Sequence, residues 1–138
     1  MFIRLVLFFM LFAVQSVGAL ELEIPNKGRF DVEVADTAEK KEIGLMFITD
    51  LPEDKGMIFD FKEEESQYVR MWMKNTYVSL DMIFLDCDFK VVDYYENAVP
   101  LSLVNIGSYK KFCFVLEVLG GTVKRKSIQI GDKFSVIQ

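Results

Sequence analysis

Asp81, Glu96 and Glu117 stand in or beside apolar runs of the chain. A carboxyl taken out of water holds its proton to higher pH, which makes it a candidate general acid. Two such groups facing each other across a cleft would have the parts needed to hydrolyse a polysaccharide. A strand carboxylate next to Lys74, Asn75 and Thr76 more often caps backbone amides or pairs with the lysine, so catalysis is the lesser expectation for all three. The sequence contains no histidine, which removes the commonest general base and the commonest transition-metal ligand together. Ser-His-Asp and Cys-His catalytic units are excluded on that ground.

Trp72-Met73-Lys74-Asn75-Thr76 is the stretch where binding chemistry is most concentrated. A tryptophan supplies a stacking face, and Lys74, Asn75 and Thr76 supply donors and acceptors, a combination that suits a small molecule, a saccharide or a peptide. The competing reading anchors Trp72 and Met73 in the core and leaves Asn75 and Thr76 to turn the chain. Tyr94, Tyr95 and Tyr109 are candidates to line the same surface. Asp86 and Asp88, with Asp93 beyond, offer oxygens to calcium but match no complete calcium-loop spacing, so neither a metal nor a cofactor is expected. Cys87 and Cys113 lack the close spacing of a thiol-disulfide or zinc motif. They form either one disulfide or two buried thiols.

These residues need strands to hold them. Phe30, Val32 and Val34 alternate with Asp31 and Glu33, the period-two pattern of a half-buried strand. Asp36 and Glu39 have capping-box spacing before a short helix from Ala38 to Gly44. Leu51 to Gly56 reads as a turn and Met57 to Phe61 as a strand. Further strands are expected over Tyr68 to Met73, Leu80 to Leu85, Phe89 to Tyr95 and Phe112 to Val118, with Asp86-Cys87-Asp88 closing a hairpin. Asn97 to Lys111 reads as a long loop, and Val123 to Lys126 as a helical turn. Ser127 to Ile130 is expected to pair with Phe134 to Ile137 across Gly131-Asp132-Lys133. The sum is a mainly β chain, a compact β-sandwich or partly open β-barrel with one or two short helices.

The amino terminus has the layout of a secretory signal: Arg4, the apolar run Leu5 to Val14, then small residues ending at Ala19. The expectation is a signal peptide over residues 1–19 and a single β-rich domain over residues 20–138. The apolar run is too short for a spanning helix, so no stable membrane anchor is expected after cleavage, and the destination is periplasmic or extracellular. A formal net charge of −5 disfavours a nucleic-acid partner. Lys124-Arg125-Lys126, the one basic cluster, reads as a solvated face.

Several ordered motifs carry a resemblance to a known family. They are Gly44-Leu45-Met46-Phe47, the Leu51-Pro52 turn leading to Gly56-Met57-Ile58-Phe59, Trp72 to Thr76, and Leu80-Asp81-Met82-Ile83-Phe84-Leu85-Asp86. Glu96-Asn97-Ala98 with Pro100, Val115-Leu116-Glu117 and Gly131-Asp132 follow in order. Together they resemble the domain of unknown function 192 family across Phe30 to Val136. The resemblance implies a small, mostly β protein with a short helix, often exported, in a family without an established biochemical activity. Cys87-Asp88-Phe89 departs from the small residue and glycine expected in that hairpin.

The reading that follows is an exported, noncatalytic module that binds a ligand or partner through Trp72, Lys74, Asn75 and Thr76. Two alternatives stand beside it, a hydrolase using two of Asp81, Glu96 and Glu117, and a structural or assembly protein that docks through a strand edge or apolar patch.

Overall fold

The computed structural model describes residues 18–137. The proposed leader lies outside the described residues except for Gly18 and Ala19, and Ala19 opens the first strand, β1 (Ala19–Ile24). A tight turn returns the chain as β2 (Gly28–Ala35), antiparallel to β1. The short helix α1 (Ala38–Ile43) follows and ends at Gly44, whose φ of 49° favours glycine. Its cap is Thr37 rather than Asp36. The Thr37 hydroxyl accepts from the Lys40 amide, while Asp36 reaches forward to the Lys40 ammonium.

β3 (Lys55–Asp60) then runs parallel to β2. β4 (Leu80–Leu85) and β5 (Val91–Ala98) form the expected hairpin, and β6 (Phe114–Leu119) inserts between β4 and β3. The helical turn α2 (Thr122–Arg125) and β7 (Ser135–Ile137) complete the chain. The seven strands make one sheet in the order β5-β4-β6-β3-β2-β1-β7. The fold is mainly β, and the sheet is not closed. Its ends nevertheless approach each other, because Val91 donates to Asp132 and accepts from Gly131 just before β7. A partly open barrel, rather than a sandwich, describes this arrangement.

Phe89 in the β4–β5 hairpin takes the left-handed conformation, with φ of 61°, where glycine would be at ease. Its ring lies parallel to Phe114 at 4.7 Å between centroids, a contact glycine could not make.

Two sequence expectations fail for identifiable reasons. Tyr68 to Met73 has the burial alternation of a strand, with Val69, Met71 and Met73 buried between exposed neighbours. It joins no ladder, however, because its one bridge is between Met71 and Ile106 in the long loop. Ser127 to Ile130 does not pair with the carboxy-terminal strand, since Ser127 and Gly131 both have positive φ and turn the chain away. β7 instead takes β1 as its partner, a strand hidden from the sequence reading by its closeness to the proposed cleavage point.

The two faces of the sheet are buried differently. Ile58, Leu116 and Ile83 are register neighbours on one face, packed with Leu22, Phe30, Val32 and Phe134. The opposite face carries Met57, Phe59, Met82, Phe84 and Val115. It is covered by irregular segments that contribute Leu45, Leu51, Phe61, Met71, Met73 and Ile106. β4 and β6 are therefore apolar on both sides, with Asp81 and Glu117 as their exceptions.

Candidate functional site

Both exceptions are carboxylates, and the register separates them. Asp81 sits opposite Val118 while Met82 sits opposite Glu117, so successive side chains point to opposite faces and the two acids lie on different sides of the sheet. Asp81 is fully buried and saturated: Oδ1 accepts from the amides of Asn97 at 2.8 Å and Gly121 at 3.0 Å, and Oδ2 from Val123 at 2.8 Å. It fastens the end of β5 and the start of α2 to β4. Glu96 is exposed on β5, with β4 between it and β6. The structure therefore brings no two of the three acids together.

Glu117 is 4% exposed and lies between Met57 and Met82 on the face covered by irregular chain. It lines a cleft of about 300 Å³. No side chain sealed from solvent lacks a hydrogen-bond partner among the described residues. Glu117 has no such partner among the described residues, so its carboxyl keeps an opening onto the cleft. Burial pushes this carboxyl up to about 8. Near neutral pH it is mostly the neutral acid, able both to donate and to accept a hydrogen bond.

The wall of the cleft comes from the segment that the sequence singled out. Trp72, Lys74 and Thr76 all line it. The segment is held from behind by the long loop: Met71 and Ile106 exchange both backbone hydrogen bonds, Met73 donates to Ser102, and Leu101 donates to Thr76. Met73 is buried completely, whereas Trp72 is 40% exposed, so the core anchor is the methionine and the indole is left for the cleft. Lys74 Nζ lies 5.0 Å from the centre of the Trp72 ring. Thr76 turns its hydroxyl to the Lys74 carbonyl at 3.1 Å.

Asn75 stands apart from this lining. With φ of 53° it turns the chain, and its carbonyl accepts from the Phe47 amide, tying the Trp72 segment to the loop after α1. Tyr94, Tyr95 and Tyr109 do not line this cleft, and Tyr109 borders a separate cavity of about 760 Å³. Met46, Phe59, Met71 and Arg70 also line it without having been singled out as site residues in the sequence. For Met46 and Phe59 a signal was available, in the Gly44-Leu45-Met46-Phe47 and Gly56-Met57-Ile58-Phe59 motifs.

Charge collects at the rim. Lys41 is occupied by Glu64 at 2.9 Å and by the Asp60 carbonyl. Arg70 Nη1 donates to the carbonyls of Gln67 and Val69. Neither Arg70 nor Lys74 belongs to an ion pair among the described residues. Glu42 adds an exposed carboxylate on the α1 side.

Away from the cleft, Cys87 and Cys113 are joined as a disulfide with Cα atoms 5.1 Å apart. Asp86 accepts from the amides of Asp88 and Lys90 within its own turn, and Asp93 accepts from Ser108. Among the described residues no group of three acidic or thiol side chains is arranged to hold a metal.

The match with known proteins covers this whole assembly. Residues 21–136 match the family model for domain of unknown function 192, described as uncharacterized ACR. The chain belongs to the domain of unknown function 192 family. Two solved structures are similar to this DUF192 chain. One, from Sinorhizobium meliloti, carries the provisional description of transcription regulator. It is 37% identical, covers 88% of this chain and 95% of its own, and superposes with a TM-score of 0.81. The other is a protein of unknown function from Novosphingobium aromaticivorans, 33% identical, covering 85% of this chain and 83% of its own, with a TM-score of 0.75. Among curated proteins none matches the DUF192 chain.

Proposed function

We propose that this DUF192 protein is an exported, noncatalytic module that binds a small ligand in the cleft between Trp72 and Glu117. The observation that carries the reading is Glu117 itself. It is a carboxyl only 4% exposed, stripped of most of its water and without a hydrogen-bond partner among the described residues. It opens onto a cleft walled by an indole, a lysine and a threonine, where a ligand hydrogen bond would replace the lost hydration. A hydrolase using two of Asp81, Glu96 and Glu117 is disfavoured because neither Asp81 nor Glu96 shares the cleft with Glu117. A nucleic-acid role is disfavoured by the net charge of −5 and by the state of the Lys124-Arg125-Lys126 cluster. Within it Arg125 pairs with Glu53, and the Lys126 ammonium lies 5.4 Å from the centre of the Phe30 ring. Export rests on Arg4, the apolar run to Val14 and the small residues ending at Ala19.

Trp72 is the sole tryptophan of the chain, so emission excited selectively at the indole, away from the five tyrosines, reports on this cleft. Titration of residues 20–138 with saccharides, short peptides and organic acids should change the emission for one class, with a matching rise in melting temperature. A ligand that raises the melting temperature equally in wild type and Trp72→Ala binds elsewhere and overturns the assignment. Expression of the full chain in a Gram-negative host should give a periplasmic product beginning at Leu20. A cytosolic product retaining Met1 would overturn the export reading.

A further inference from the structure

Building on the binding reading, we infer that the occupant of the cleft is a small organic oxyanion: an apolar, ring-sized body against Trp72, and an anionic head paired with Arg70 and Lys74.

Each of the two cations has a contact in place before any ligand arrives. Two backbone carbonyls hold Arg70 Nη1, and the other guanidinium donors have no acceptor among the described residues; Arg70 borders two further cavities as well as this cleft. The Trp72 ring lies beneath the Lys74 ammonium. A planar guanidinium and a point ammonium on the same cleft suit a carboxylate or phosphate. The third cation, Lys41, is neutralised by Glu64, and exposed Glu42 would repel an anion on the α1 side. These charges direct the head toward Arg70 and Lys74.

Between rim and interior the surfaces are Met46, Phe59, Met71 and the indole, which fit an apolar body rather than a second charge. Glu117 is the one carboxyl deep in the cleft, and burial keeps it neutral near neutral pH, so it does not repel an anion. A hydroxyl, carbonyl or amide at the inner end of the ligand would complete its hydrogen bonding. A volume of about 300 Å³ is at the small end of ligand sites, the size of one ring with a short side chain.

The test uses Trp72 emission at low salt and about pH 6.5, with calorimetry as a second readout. The probes are 3-(4-hydroxyphenyl)propionate, phenyl phosphate, and the neutral amide of the first. The inference predicts saturable binding of at least one anion, with the amide weaker by about tenfold or more, the worth of one charge-assisted hydrogen bond. Lys74→Met and Arg70→Met should each weaken the anion about tenfold more than they weaken the amide. Preference for the propionate over the phosphate, or the reverse, identifies the head group. Equal binding of acid and amide, or anion binding indifferent to both substitutions, overturns the oxyanion assignment while leaving the cleft a binding site. Saturable quenching by a neutral saccharide with no response to either anion does the same. Silence toward these probes and every other class tested overturns both readings.

Discussion

Glu117→Gln isolates the energetic cost of the buried carboxyl. The folded protein holds the Glu117 proton to about 8, against a reference of 4.5. Between these values the folded state binds a proton that the unfolded state has released, so stability falls as pH rises, by about 1.4 kcal/mol per pH unit. The contribution is intact below the reference value and lost as pH rises through about 8. Wild type should therefore lose about 3–4 kcal/mol from this group between pH 5 and pH 8. Glutamine fills nearly the same volume and does not ionise. At pH 5 the variant should match wild type within about 1 kcal/mol, and at pH 8 it should exceed it by about 3 kcal/mol. Urea unfolding followed by circular dichroism at pH 5, 6, 7 and 8 gives both curves, and their difference cancels every other titrating group. Parallel curves would refute the argument, because they would mean that Glu117 ionises in the folded protein as it does in water.

Other expectations follow from particular contacts. Asp81→Ala strips the acceptor from three backbone amides and should cost about 3 kcal/mol or more; urea unfolding should register this together with faster hydrogen exchange at Asn97, Gly121 and Val123. Gly56→Ala would put a Cβ 2.2 Å from the Glu117 carbonyl oxygen. Separating β3 from β6 there should cost about 2–3 kcal/mol, and an unchanged melting temperature would contradict it. Replacing Cys87 and Cys113 by serine opens a loop with a sequence separation of 26, which should lower stability by about 3–4 kcal/mol. Mass measurement after alkylation under non-reducing conditions tests the bridge itself, since two alkylated thiols would exclude it.

The strands with a clear period or an unbroken apolar run were legible in the sequence, because burial on one face or two leaves its mark on residue type. β2, β3, β4 and β6 are of this kind. What escaped depended on partners distant in the chain. The alternation from Val69 to Met73 is genuine, yet pairing is decided by what lies alongside, and only Ile106 does. β7 was given the wrong neighbour because its real one, β1, adjoins the proposed leader. At the site, Trp72, Lys74 and Thr76 were visible as a cluster of chemistry, and Glu117 as an acid in an apolar run. That Glu117 and not Asp81 shares their cleft is a matter of register, and one residue of shift in β4 would have put both acids on the same face. Arg70 and Met71 join the site through loop packing, which leaves no periodic trace.

One face of the barrel is roofed by irregular chain instead of a second sheet. Strands in a ladder are bound to their neighbours in register, so altering one disturbs the next. Loops resting on a finished sheet join no such ladder, so their outward side chains can be exchanged more freely than buried ones such as Leu45, Met71, Met73 and Ile106. A cleft built mostly in that roof, over a floor set by β3 and β6, can be re-tailored to a new occupant through substitutions among the exposed side chains of residues 41–46 and 70–76 while the barrel beneath stays the same.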